Sequence, residues 1–201
     1  MRKILVAYAT LSGSTAEVAQ AIGEEIARDG LHVDVLPLEK VTDPAAYQAV
    51  VLGAPMIMGW HRSATKFLKQ HRAALGQTPL AVFAMAVSLT ATGETALNGV
   101  PVCVDPTLAK PPQNPMRLTL KENYARIARY ASPIIQAAGE NKPVSIAFFG
   151  GRLDYFRLKL LPRMFVMLVI QAQPGDRRNW QAIRGWAGSL PQVFHPRANG
   201  K

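Results

Sequence analysis

The sequence predicts an α/β protein in three layers, with helices on both faces of a five-stranded parallel sheet. Short apolar runs alternate with amphipathic helical patterns along the chain, which is typical of strands joined by helical crossovers. The first apolar run also ends in a hydroxyl-rich turn that opens a helix. The 201 residues are 49% hydrophobic and 18% charged, so we expect one globular domain over residues 1–201.

The first unit is a buried strand over residues 4–9 and a helix over residues 16–27. The strand contains β-branched and aromatic residues, as expected when both faces are covered. The helix carries apolar residues at helical spacing on one face. Ser14 or Thr15 is placed to cap this helix.

The remaining elements follow in alternation. Strands are predicted over residues 31–38, 49–54, 79–87 and 144–149. Helices are predicted over residues 62–75, 119–138 and 179–190.

The turn between the first strand and its helix indicates a phosphate site. A helix start has unpaired N–H groups and a dipole that favours an anion. Four residues of the turn have hydroxyls that can donate to phosphate oxygens: Thr10, Ser12, Ser14 and Thr15. Gly13 lets the backbone come close to the phosphate. Neither the P-loop pattern nor the dinucleotide fingerprint is present. The alternative is an ordinary strand-to-helix turn with a Ser/Thr cap.

The run Thr10-Leu-Ser-Gly-Ser-Thr15 resembles the T-x-[ST]-G-x-[ST] loop of flavodoxins, which grips the phosphate of FMN. The resemblance implies FMN as cofactor and a flavodoxin-like sheet of order 2-1-3-4-5. In such sheets the ligand lies beyond the carboxyl ends of the strands. We therefore expect the loops after Ala9, Ala54 and Val87 to converge on one site.

Two of these loops are expected to hold the flavin ring. In the second loop, Gly59 can turn a peptide towards the ring and Trp60 can stack on it. Alternatively, the apolar residues of this loop pack under the next helix and Trp60 is a surface anchor. The third loop offers backbone groups to the pyrimidine edge. The predicted ring contacts are Pro55, Met56, Ile57, Met58, Gly59, Trp60, Ser88, Leu89 and Thr90.

Residues 91–116 are predicted to form a long loop rich in proline and glycine, without clear periodicity. A loop of this length inside a compact domain is usually functional or disordered. The sequence leaves open a flap over the flavin, a dimer-contacting loop and a disordered loop.

Residues 152–176 are predicted to form a basic helical insert. Its apolar part, residues 160–170, is too short to span a bilayer, which takes about 20 residues. Arginines and lysine cluster at its start, including Arg152, Arg157 and Arg163. The pattern favours a surface for a membrane or a ligand over an excursion packed on its own domain.

The flanks of this insert carry a second resemblance. Gly150-Gly-Arg-Leu-Asp-Tyr-Phe-Arg-Leu158, Asp176-Arg-Arg-Asn-Trp180 and the loop from Leu52 to His61 resemble the flavodoxin-like, quinone-dependent protoporphyrinogen IX dehydrogenases of bacteria. The resemblance implies oxidation of a porphyrinogen with a membrane quinone as acceptor, in the cytoplasm at the inner membrane. It also implies that Arg152, Arg157 and Arg163 contact substrate carboxylates or lipid. The proline-rich stretch 99–115 departs from that family.

The formal net charge of +10 indicates an anionic partner, such as a membrane surface or an acidic ligand. It argues against an ordinary flavodoxin electron carrier, because those are typically acidic. That carrier role and an FMN-dependent quinone or nitro-compound reductase are the alternative functions. Nucleic acid is not expected, since no recognition motif accompanies the charge.

The sequence does not indicate a cysteine nucleophile or a metal site. Cys103 is the only cysteine and has no histidine motif beside it, so an incidental thiol is expected. The four histidines lack metal-ligand spacing, and no metal site is predicted. No residue is assigned to proton transfer, and a homo-oligomer is left open.

Overall fold

The computed structural model describes residues 3–57, 59–153, 164 and 175–194. The strands, in chain order, are β1 Lys3–Tyr8, β2 His32–Pro37, β3 Ala49–Met56, β4 Leu80–Ala86, β5 Leu89–Thr90, β6 Ala96–Leu97, β7 Val100–Val104, β8 Ala109–Lys110, β9 Ser145–Gly150, β10 Arg152–Leu153 and β11 Gly175–Asp176. The helices are α1 Ser14–Ala27, α2 Arg62–Gln70, α3 Leu120–Tyr124, α4 Ile127–Ala138 and α5 Trp180–Phe194.

The central sheet confirms the predicted α/β class and the predicted order of its five long strands. Those strands are parallel and lie in the order β2-β1-β3-β4-β9. Helices α1 and α5 cover one face of the sheet, and α2 and α4 cover the other. Side chains of each strand alternate between two buried clusters, as Val51 and Leu52 do in β3.

The sheet is longer than predicted, because two more strands extend it beyond β9. Strand β7 pairs with β9 in parallel, and β6 pairs with β7 in the opposite direction. Both strands come from residues 91–116, where the sequence predicted a loop. Burial alternates along β7, with Val100 and Val102 buried and Pro101 exposed. Proline is tolerated near a sheet edge, and its presence concealed this alternation.

The predicted long helix over residues 119–138 is also wrong, because the chain leaves helical geometry at Arg126 (φ −68°, ψ 143°). Two hydrogen bonds from the loop after β4 meet the chain at this break. The N–H of Thr90 donates to the carbonyl of Ala125 (2.9 Å), and its hydroxyl donates to the carbonyl of Glu122 (2.9 Å). Tertiary contacts therefore override a continuous helical pattern and produce α3 and α4.

None of the helices within the described ranges has both the length and the apolar character needed to cross a bilayer.

Candidate functional site

A cleft opens at the carboxyl ends of β1, β3, β4 and β9. The first two predicted loops and the start of the third converge here, and the segments flanking the insert join them. We call it the FMN cleft, and it is lined by Leu11, Ser12, Ser14, Thr15, Pro55, Ile57, Met85, Ala86, Val87, Gly151, Arg152 and Arg177. The cleft is partly open, and its volume is about 40 Å³. So small a volume suits a phosphate group rather than a three-ring flavin.

The phosphate end of the FMN cleft is built on the start of α1. The N-cap residue is Gly13, whose left-handed backbone (φ 93°, ψ −20°) favours glycine. The N–H of Gly13 donates to the hydroxyl oxygen of Thr10 (2.9 Å). No side chain caps the helix, so the prediction that Ser14 or Thr15 caps it is wrong. The first-turn N–H groups are left available for an anion.

The predicted phosphate residues divide into two roles. Ser12, Ser14 and Thr15 line the cleft, and the last two are largely buried. Thr10 and Gly13 are not among the lining residues and instead shape the turn. The hydroxyls, the free helix start and the glycine turn fit a phosphate monoester held by neutral donors.

The second predicted loop contributes an apolar wall. Pro55 and Ile57 line the FMN cleft, whereas Met56 is 2% exposed and belongs to the core. Met58 lies outside the described residues. Pro55 and Ile57 thus lie beside the phosphate end, and their contacts with the flavin ring stay a prediction.

Trp60 of the second predicted loop lies in the hydrophobic core. The loop folds back at Gly59 (φ 104°), so that Trp60 forms an isolated bridge with Met56. The Trp60 side chain is 6% exposed and packs in the core cluster beside α2, and it is not among the described residues that line the cleft. Its indole Nε1 has no hydrogen-bond partner among the described residues. Stacking of Trp60 on the flavin stays a prediction.

The third predicted loop lies in a neighbouring cleft. Ser88, Leu89 and Thr90 line a second opening, which we call the side cleft. Val87 and Arg177 line both the side cleft and the FMN cleft, so the two are contiguous. The predicted contacts of this loop with the pyrimidine edge stay a prediction.

Arg177 is a site residue to which the sequence interpretation gave no role. Its N–H donates to the carbonyl of Gly151 (3.2 Å), and its guanidinium donates to the carbonyl of Val87 over a long 3.4 Å contact. A Cβ at Gly150 would lie 2.2 Å from the carbonyl oxygen of Arg177. Strand β9 therefore has to end in glycine for Arg177 to reach the rim of both clefts.

Arg178 joins the segment after the insert to the phosphate end of the cleft. Its side chain is 6% exposed and pairs with Glu17 and Asp176. Its guanidinium carbon lies 4.6 Å from the ring centroid of Trp180. The hydrogen bond with Asp176, followed by the one with Glu17, raises the pKa of Arg178, and the Arg178 side chain lowers the pKa of Asp176. Because Glu17 lies in the first turn of α1, the pair fixes residues 176–178 beside the phosphate turn.

The predicted insert begins and ends at the rim of the FMN cleft. Strands β10 and β11 pair in antiparallel fashion, with Arg152 opposite Asp176. Arg152 is exposed and lines the cleft, and its predicted contact with a substrate or lipid stays a prediction. Arg157 and Arg163 lie outside the described residues, as does most of the predicted helix.

His61, the N-cap residue of α2, gives the fold a pH-dependent contribution to stability. Burial lowers the pKa of His61 in the folded protein below its value of about 6.5 in the unfolded chain. Protonation of His61 therefore disfavours the folded state. The contribution of neutral His61 to stability is present above the unfolded pKa. It is lost as the pH falls through the lowered pKa of the folded protein. We expect the urea midpoint to drop more for wild type than for His61→Gln between pH 7.5 and pH 5.5. An equal drop in both proteins would contradict this.

The fold and the clefts together define a class: a doubly wound α/β protein with a hydroxyl-rich turn at the helix start after its first strand and a cleft at the carboxyl ends of the strands. The chain belongs to the flavodoxin family, since the family profile described as a flavodoxin domain matches residues 5–179. The predicted family is confirmed, and FMN is the cofactor that this assignment supports. The chain is thus an FMN-binding oxidoreductase of the flavodoxin family.

The chain is similar to known proteins over nearly its whole length. Protoporphyrinogen IX dehydrogenase [quinone] of Escherichia coli K12 is 24% identical over 202 residues, which cover 95% of this chain and 96% of that protein. The protein of the same name from Escherichia coli O157:H7 gives the same values. A flavodoxin from the domain Archaea has a TM-score of 0.52 at 14% identity, over 96% of this chain and 99% of that one. A short-chain flavodoxin associated with a PDU bacterial microcompartment gives 0.53 at 10% identity, with the same coverage. These two structures are similar in fold.

Proposed function

We propose that this protein is an FMN-dependent dehydrogenase that oxidises protoporphyrinogen IX and passes the electrons to a membrane quinone. The observation that carries this is the end-to-end similarity to the dehydrogenases of that name, over 95% of this chain. An alignment of that extent takes in the phosphate turn, the cleft loops and the region after β9. The two flavodoxins of similar fold cover 96% of this chain as well, but at 14% and 10% identity, below the 24% of the dehydrogenases.

The described residues suit the binding and orientation that such an enzyme needs. FMN, when bound, supplies the electron acceptor, and the protein supplies the site. Ser12, Ser14 and Thr15 hold the phosphate with the first N–H groups of α1. Pro55 and Ile57 exclude water along one wall of the cleft.

Two arginines at the rim of the FMN cleft can attract an anionic substrate. Arg152 and Arg177 both line the FMN cleft. Porphyrinogen propionates carry negative charge, and a guanidinium binds a carboxylate through charge-assisted hydrogen bonds. These arginines attract the anionic substrate to this rim, and no part of the chemical step is assigned to them.

We also propose that the insert holds the protein against the cytoplasmic surface of the inner membrane. The net charge of +10 favours an anionic surface, and a quinone acceptor resides in the bilayer. The pairing of β10 with β11 keeps both ends of the insert at the cleft rim. An insert lying on the membrane would therefore bring the flavin site close to the quinone.

The catalytic proposal is tested with the FMN-loaded protein under anaerobic conditions. Protoporphyrinogen IX is mixed with a soluble menaquinone analogue, and protoporphyrin fluorescence is followed with the apoprotein as control. We expect quinone-dependent formation of protoporphyrin without a nicotinamide. An FMN-loaded protein that fails to oxidise the substrate would overturn the proposal. NAD(P)H-driven quinone reduction in that case would indicate the reductase alternative, and its absence would leave the electron carrier.

The membrane proposal is tested by pelleting with anionic and neutral vesicles. The double variant Arg157→Glu/Arg163→Glu should pellet less than wild type with the anionic vesicles. Arg62→Glu/Lys66→Glu changes the net charge equally at exposed positions of α2 and should keep more of the binding. Equal losses in both variants would show a dependence on net charge alone and would remove the insert from the interface.

A further inference from the structure

The side cleft is a second built cavity, next to the flavin site. Its volume is about 550 Å³, within the range of roughly 300–1,000 Å³ that is typical of small-molecule sites. Its walls are β5, β8 and α3, and it joins the FMN cleft at Val87 and Arg177. A ligand bound there would adjoin a flavin in the neighbouring cleft.

The floor of the side cleft is apolar and rigid. Leu89, Leu108 and Ala125 line it, and each is at most 6% exposed. The hydrogen bonds from Thr90 to the chain between α3 and α4 hold two of the walls together. A ligand with both apolar and polar parts would find a preformed surface here.

The rim of the side cleft is cationic. Lys110 on β8, Lys121 on α3 and Arg177 line it. Both lysines are exposed, and neither ammonium group forms a hydrogen bond or an ion pair with any residue that the structure describes. Two unneutralised ammonium groups at the mouth of a cavity with an apolar floor and polar walls favour a ligand with anionic groups at one edge.

Glu122 is the one carboxylate that lines the cleft among the described residues, and it is already engaged. Its oxygens accept from the N–H of Gln113 (2.7 Å) and from the N–H and hydroxyl of Thr119 (2.7 and 2.8 Å). The hydrogen bonds from Gln113 and Thr119 lower the pKa of Glu122, so the group stays ionised as the anchor of this wall. It does not pair with either lysine.

We propose that the side cleft binds the substrate as a largely apolar dicarboxylate, with Lys110 and Lys121 pairing with its carboxylates. This deepens the proposed function and rests on it, because it assigns the porphyrinogen a position separate from the FMN cleft. The apolar floor takes the macrocycle, and the shared rim at Val87 and Arg177 adjoins the flavin. A neutral quinone would gain nothing from the two lysines, so the cleft favours the electron donor over the acceptor.

The test uses the FMN-loaded protein and two stable probes, protoporphyrin IX and its dimethyl ester, with binding followed by quenching of porphyrin fluorescence. Lys110→Gln/Lys121→Gln should weaken binding of the free acid by about tenfold, as expected for two exposed pairs. Binding of the ester should be unchanged. The control Lys66→Gln/Lys69→Gln removes the same charge from exposed positions of α2 and should leave both probes unaffected.

Three outcomes would overturn the assignment. These are unchanged binding of the free acid, an equal loss for acid and ester, and loss of FMN affinity in the side-cleft variant, which would place the flavin itself in the side cleft. Because neither probe is turned over, the result is independent of catalysis. A lysine-dependent preference for the acid would stand even if the protein failed to oxidise protoporphyrinogen, and the oxidation could occur without that preference.

Discussion

Replacing Ser14 with glutamate is expected to lower the affinity for FMN by about 100-fold or more. Ser14 is the first residue of α1, is 8% exposed and lines the FMN cleft. A carboxylate there would compete with the phosphate for the free N–H groups of the helix start. Juxtaposed like charges cost several kcal/mol, and each 1.4 kcal/mol is a factor of ten in affinity.

Riboflavin, which lacks the phosphate, distinguishes this effect from damage to the fold. Quenching of flavin fluorescence on titration of the apoprotein should show weak FMN binding by Ser14→Glu but unchanged riboflavin binding. Gln20→Glu adds the same charge at an exposed position of α1 and should bind both ligands normally. An acidic residue in the first helical turn is favourable, so the apoprotein should not lose stability. Equal losses for both flavins would refute the phosphate assignment.

The central part of the fold was predictable because its signals are local. Each long strand is a short apolar run, and each crossover carries helical spacing, so the class followed from pattern alone. The phosphate residues Ser12, Ser14 and Thr15 were predictable for the same reason, since they belong to one continuous βα unit. The cap was mispredicted because a glycine in left-handed geometry replaced the expected side-chain cap.

The extra strands were harder to predict, although one signal was present. Asn98 (φ 50°) and Gly99 (φ 80°) form the turn between β6 and β7. An Asn-Gly pair between apolar residues is the strongest short-range indicator of a hairpin. Pairing of β7 with β9 joins residues about 40 positions apart, as Val102 and Ile146 do, and no local pattern encodes it.

The roles of Arg177 and Arg178, which follow the insert, could not be predicted from the sequence. Arg178 meets Glu17 across 161 positions of the chain, and Arg177 meets Val87 across 90. Both arginines stand in a basic run whose usual interpretation is a solvated surface. Their roles depend on how β9 ends and on the pairing of β10 with β11, which only the three-dimensional structure reveals.

Gly53→Ala is expected to destabilise the protein by about 1–3 kcal/mol or more. Gly53 lies in β3 directly opposite Phe83 of β4. A Cβ at Gly53 would lie 1.9 Å from the Cζ atom of Phe83. The Phe83 ring is fully buried and packs edge-on against Trp186 of α5, with 6.4 Å between ring centroids. It has no space into which to move, so β3 and β4 must separate.

Thermal unfolding measures this loss, which corresponds to a fall in Tm of roughly 3–10 °C for a chain of this size. FMN affinity should fall with it, because β3 and β4 carry the loops that begin at Pro55 and Val87. Gly185→Ala is the matched control, since its Cβ would meet nothing within 4 Å and alanine favours a helix. Phe83→Leu relieves the collision, so the double variant with Gly53→Ala should be more stable than the sum of the single losses predicts. Additive losses would show that Phe83 is not the group that excludes a side chain at position 53.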